Sequence, residues 1–172
     1  MKKILLIFIL SISSNLFAQY NNSLTISGGF VQENSYGGLI NYNYNSNNSN
    51  YEIGVLHSLF KQTINSTVDL EFSDTSLQLG YLHSIVRSRD NSISINLGVG
   101  VFGGYESVKE NNEIILKSKN GPIAGAYGVG QLDFYTSDNF AFVLRAQENY
   151  LFKTLNTGKM NPYFGFGLKF NF

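Results

Sequence analysis

The chain has 172 residues, one domain's worth, with 43% hydrophobic and 15% aromatic residues, which excludes intrinsic disorder. Only 14% of residues are charged, against about 25% in an ordinary soluble domain, so Asn, Ser and Gly supply most of the polarity. The formal net charge is zero and there is no cysteine. That excludes a basic stripe for direct nucleic-acid binding, a disulfide framework and an acylated cysteine.

The N-terminus, MKKILLIFILSISSNLFAQ, places Lys2 and Lys3 before an apolar run from Ile4 to Ile12 and then Leu16-Phe17-Ala18. This order predicts a secretory signal peptide over residues 1–18, cleaved after Ala18. The apolar run is too short to cross about 30 Å of hydrocarbon as a helix. Its removal leaves ten basic against twelve acidic residues, a net charge of −2. Residues 19–172 then form a single predicted domain.

Beyond Gln19 the hydrophobic period is two, the period of a strand whose side chains alternate between faces. Leu24, Ile26 and Phe30 oppose Thr25, Ser27 and Gly29. Ile40, Tyr42 and Tyr44 oppose Asn41 and Asn43, and Tyr51, Ile53 and Val55 oppose Glu52 and Gly54. Leu77, Leu79, Tyr81 and Ile85 oppose Gln78, Gly80 and Ser84. Ile93 to Val101 alternate with Ser94, Asn96, Gly98 and Gly100. Leu132 and Phe134 oppose Gln131 and Asp133, and Phe140, Phe142 and Leu144 oppose Arg145 and Gln147. The last segment is the clearest: Met160, Pro162, Phe164, Phe166, Leu168, Phe170 and Phe172 share one face.

Eight such segments predict an all-β fold, a closed antiparallel up-and-down eight-stranded transmembrane β-barrel. The connections agree. Compact turns near Ser46, Asp90 and Ser137 alternate with longer predicted loops at Lys61 to Ser73, Ser107 to Asn120 and Lys153 to Gly158. A short first loop near Glu33 to Ser35 departs from that trend. A soluble sandwich or lipocalin-like barrel also alternates, but with its apolar face turned inward. The glycines clustered on the polar faces suit a crowded interior better than a solvated surface. The apolar faces are therefore predicted to meet lipid.

Chemistry-bearing residues are few. His57 and His83 are each followed by serine, yet adjacent strand residues point to opposite faces, so neither pair can share a site. A cross-strand pairing of His57 with His83 lacks an acid and a nucleophile at the same depth. Two histidines without cysteine make a poor metal centre, and GVGVFGGYE lacks the lysine and helix of a phosphate loop. No catalytic residue, cofactor or metal is predicted. The polar faces instead carry Glu52, Asp133, Arg145 and Lys169, predicted to form a charge network in the lumen, with Asp133 and Arg145 as the principal pair. Side chains fill so small a barrel, which predicts no ion-conducting pore. Lys109, Glu110, Glu113, Lys117 and Lys119 make the predicted loop from Ser107 to Asn120 the most charged exposed stretch.

GLKFNF at the end of the chain resembles the C-terminal assembly signal of bacterial outer-membrane barrels, with Gly167, Phe170 and Phe172 in its positions. LGVGVFGGYESV, the segment from Gly121 to Phe152 and FGFGLKF together resemble the conjugative-transposon TraO family over roughly Leu77 to Phe172. Tyr105, Glu106, Asp133, Asp138, Glu148, Gly167, Lys169 and Phe170 match its pattern. Gln131 stands where an acidic residue is common, and the family's N-terminal cysteine-bearing segment is absent. The resemblance implies a non-enzymatic outer-membrane component of conjugal DNA transfer, a scaffold or accessory. Its implied partners are outer-membrane lipid, the barrel-assembly machinery during insertion and other transfer proteins. The competing expectation is a general small barrel serving adhesion, surface defence or membrane integrity.

Overall fold

The computed structural model describes residues 22–32, 35–46, 48–64, 68–90, 92–109, 120–152 and 158–172. The predicted signal peptide lies outside them, as do residues 33–34, 65–67, 110–119 and 153–157 of the predicted loops. The strands are β1 (Asn22–Phe30), β2 (Tyr36–Ser46), β3 (Ser49–Ile64), β4 (Val68–Arg87), β5 (Ile93–Lys109), β6 (Gly121–Ser137), β7 (Phe140–Leu151) and β8 (Met160–Asn171). Each pairs antiparallel with its sequence neighbours, and β1 pairs with β8, closing the ring. Closure runs from Phe30↔Phe164 to Ser23↔Asn171. Beyond it, the Phe172 amide donates to the Asn22 carbonyl at 2.9 Å and the Asn22 amide returns a bond to Phe172 at 3.3 Å. Among the described residues each strand thus has a hydrogen-bonded neighbour on both sides around the ring, the condition for placing strands in hydrocarbon.

The period-two pattern sets which face looks out. Val99 is 66% exposed and Phe166 55%, and large apolar side chains from all eight strands share that exterior. A continuous apolar exterior of this extent belongs against lipid, not water. Near the short turns, Tyr44, Tyr51, Tyr81, Phe142 and Phe170 lie on it, with Tyr51 and Tyr81 rings 5.4 Å apart. Phe30, Tyr36, Tyr105, Tyr150 and Phe164 lie on it toward the loops, with Phe30 and Tyr36 rings 5.6 Å apart. These are two aromatic girdles of a membrane-spanning barrel.

Strand lengths depart from the sequence reading. β1, β2, β7 and β8 have 9, 11, 12 and 12 residues, close to the 9–11 that cross a bilayer. β3 to β6 have 16, 20, 17 and 17, so half of the ring rises past the girdle at the loop end. The predicted loop from Lys61 to Ser73 is therefore mostly strand, paired from Leu59↔Ser73 to Ile64↔Val68. The alternation does not stop there; its outward face turns polar. Lys61 and Glu71 form an outward ion pair at 3.4 Å, while Phe60 and Phe72 stay buried inside. Ser107 likewise belongs to β5, not to a loop.

The interior is a packed core. Val31, Leu39, Leu56, Phe60, Phe72 and Tyr163 form one apolar cluster, and Leu82, Phe102, Ile123, Tyr127, Val129 and Leu151 another. Apolar residues thus share the inside with polar ones, which the two-face reading did not anticipate. The inward glycines make room for aromatic rings. A Cβ on Gly165 would meet Tyr163 Cζ at 2.6 Å, and one on Gly100 would overlap the Tyr127 ring.

Candidate functional site in the barrel interior

Glu52 on β3 and Arg145 on β7 point into the lumen from opposite walls and are almost wholly buried. The guanidinium grips the carboxylate with two bonds, Nη2 to Oε1 at 2.7 Å and Nη1 to Oε2 at 2.9 Å. Bidentate geometry of this kind combines charge with orientation. The Tyr127 hydroxyl donates to Glu52 Oε1 at 2.7 Å, and Asn41 Nδ2 donates to Oε2 at 3.3 Å. Tyr127 reaches that far because Gly80 and Gly100, with no side chains, lie beneath its ring and hydroxyl. Arg145 Nε and Nη2 also donate to Gln147 Oε1, at 3.0 and 2.8 Å.

Nearer the turns, Lys169 Nζ and Asp133 Oδ2 are 3.1 Å apart, again deeply buried. Asn96 Nδ2 donates to the same carboxylate oxygen at 3.2 Å, and Tyr135 stands beside the ammonium at 3.4 Å. The principal pair expected from sequence is thus corrected: Arg145 takes Glu52, and Asp133 takes Lys169. Arg145 and Asp133 both project inward, but Gln131 sits between them. Its Oε1 accepts from Arg145 Nη1 at 3.1 Å and its Nε2 donates to Asp133 Oδ1 at 2.8 Å. Only a side chain with both a donor and an acceptor can bridge a cation to an anion this way. Gln131, Gln147, Gln78, Asn41 and Tyr127 were missed as members of this cluster. Their inward phase on the strands was the available signal.

The cluster leads upward through Gln147 Nε2, which donates to Gln78 Oε1 at 3.2 Å and Asn149 Oδ1 at 2.7 Å. Downward it opens on a polar bowl of about 520 Å³ at the turn end, lined by residues including Arg87, Asp90, Asn96, Tyr135 and Lys169. On its rim, hydrogen bonds from Ser88 and Ser92 hold the Asp90 carboxyl down at about 2. That carboxylate therefore stays ionised even in mild acid.

The histidines lie elsewhere. His57 is exposed on the outer face, with Nδ1 2.8 Å from Thr75 Oγ1, while Ser58 is buried inside. His83 is outward too and stands opposite Ser49, so His57 and His83 are eight residues apart along β3 and do not meet. Among the described residues no group of three or more His, Asp, Glu or Cys could hold a metal ion. Of the residues carrying the family resemblance, Glu106 is buried inside, Tyr105 and Glu148 face outward, and Asp138 lies at the last turn. Gly167 packs against Ser27, and Phe170 stacks edgewise on Phe140 at 5.3 Å.

A closed antiparallel ring of eight strands, apolar outside and filled by paired polar groups within, defines a small transmembrane β-barrel. Neisserial surface protein A has this fold, with a TM-score of 0.63 and 11% identity over 88% of this chain and 94% of that one. Ail, the attachment invasion locus protein of Yersinia pestis, gives a TM-score of 0.58 and 13% identity over 88% and 99%. The structure of Ail in a phospholipid bilayer nanodisc gives 0.54 and 16% over the same shares. At such identities the likeness is one of fold. No curated protein matches the sequence. The chain belongs to the family described as conjugative transposon protein TraO, whose sequence profile matches residues 14–172.

Proposed function

We propose that the barrel resides in the outer membrane as a non-enzymatic component of a conjugative DNA-transfer apparatus, acting as scaffold or accessory and not as conduit. Membership of the TraO family supports the setting. The observation that carries the accessory role is the plugged lumen. Glu52, Arg145, Gln131 and Gln147 cross it at one depth, and two apolar clusters fill much of the remainder. DNA cannot pass such an interior, so any part in transfer is exerted through the barrel's surfaces. In this reading residues 1–18 direct export and are removed, and Gly167, Phe170 and Phe172 present the strand that the barrel-assembly machinery recognises. Lipid and other transfer proteins are then its standing partners.

The test is a mating assay. Deleting the gene in the donor should lower transfer at least tenfold, and the wild-type chain supplied in trans should restore it. Undiminished mating, together with loss of adhesion or of envelope integrity, would move the assignment to a general surface barrel.

A further inference from the structure

Between the two aromatic girdles, the outward positions of the described residues carry just two ionisable side chains besides tyrosine, Glu148 on β7 and His57 on β3. One is an acid and the other a base. Each stands one outward position inside the loop-end girdle. The next outward residue after Glu148 is Tyr150, and the next after His57 is Leu59, paired with Tyr36. The two therefore lie at similar depth in the hydrocarbon. They are also four strands apart in a ring of eight, on opposite sides of the barrel, and cannot meet within one molecule. Among the described residues no hydrogen bond or ion pair reaches Glu148. His57 uses Nδ1 on Thr75, which leaves Nε2 for another partner. Lipid tails offer a carboxylate neither water nor counter-charge.

The surface beside each group is bare of bulk. Next to Glu148, β6 turns Ala124, Ala126, Gly128 and Gly130 outward in succession, with Gly128 directly across from Glu148. A Cβ at Gly128 would meet nothing within 4 Å, and Gly130 and Ala146 line an apolar hollow of about 580 Å³ on the same face. Next to His57, Gly38 stands directly across on β2, with Gly28 beyond it on β1. Small residues let membrane-spanning surfaces approach closely, and polar side chains then join them.

We propose that the barrel associates with a second copy of itself head to tail in the membrane plane, the Glu148 face of one copy seated on the His57 face of the next, carboxylate against imidazole. A two-fold contact on the Glu148 face would instead set two carboxylates together in a medium of low dielectric. Because the paired faces lie on opposite sides, each copy keeps one face open and the contact extends into a row. The inference needs only that the barrel spans a membrane, and it stands whatever part the barrel plays in transfer.

The chain has no cysteine, so introduced thiols report the contact alone. Ala146→Cys puts one beside Glu148, and Gly38→Cys puts one beside His57, where a Cβ first meets an atom at 4.0 Å. Refolded together in phosphatidylcholine vesicles and treated with a short bismaleimide, the two variants should give crosslinked dimer, and either alone should give little. Adding Glu148→Leu or His57→Leu should lower the yield roughly five- to tenfold, the worth of one polar pair in lipid, without changing the gel shift of the folded barrel. Exchanging the pair, Glu148→His with His57→Glu, should restore the yield. Gly128→Leu, which fills the trough without meeting the barrel's own atoms, should also lower it. A mixed yield no higher than that of Leu79→Cys with Phe166→Cys, on the intervening sides β4 and β8, overturns the proposal as the result of random collision in lipid. So does dimer from either single variant at the yield of the mixture, or indifference to Glu148→Leu and His57→Leu.

Discussion

A single planar guanidinium at Arg145 holds together side chains from β3, β6 and β7, which is why its removal should be felt across the barrel. Arg145→Met leaves Glu52 charged and unpaired in the interior, and should destabilise the fold by about 3–5 kcal/mol in urea unfolding from lipid vesicles. The double variant Glu52→Leu with Arg145→Met should recover most of that loss, because the charge and its partner leave together. Gln131 offers a sharper contrast. Gln131→Glu keeps an acceptor for Arg145 but loses the donor to Asp133 and sets two carboxylates side by side, a change expected to cost about 1–3 kcal/mol. If Gln131→Glu proves neutral, the bridging role is wrong. That Arg145, Glu52, Asp133 and Lys169 share the face opposite the apolar residues was legible from alternation, and the glycines on that face marked it as the interior. Their partners were not, because cross-lumen pairing depends on strand register, which alternation leaves free.

At the scale of the strands, the elongated half of the ring separates what lipid touches from what water touches. Nitroxide labels at Val99 and Phe166 should collide with oxygen dissolved in the bilayer, whereas one at Lys61 should respond to a water-soluble nickel chelate. A lipid signature at Lys61 would place the β3–β4 extension inside the membrane and undo the girdle assignment. Lys61→Ala itself should change stability by less than about 1 kcal/mol, since the Lys61–Glu71 pair is exposed and screened. The eight strands were readable because Tyr, Phe, Ile and Val recur at every second position within the apolar belt. The length of β3 and β4 was not. Past Leu59 the outward positions become charged, so a ribbon that continues in water looks, in sequence, like a loop.

For the molecule as a whole, closure of β1 on β8 and the filled lumen together predict an electrically silent barrel. Planar bilayers containing it should show no steady conductance above background, and stable open channels would contradict the plugged interior. The order of polar and apolar residues determined the eight strands and their two faces, and the glycines clustered on the polar faces marked which of the two is the interior. The two faces follow from one rule, that neighbouring side chains on a strand part to opposite sides, and chain order expresses it directly. Only the tertiary structure decided that Arg145 meets Glu52 and that Gln131 stands between the two ion pairs. Those contacts join residues up to 93 positions apart, and closing the ring at a particular stagger is what brings them to the same depth.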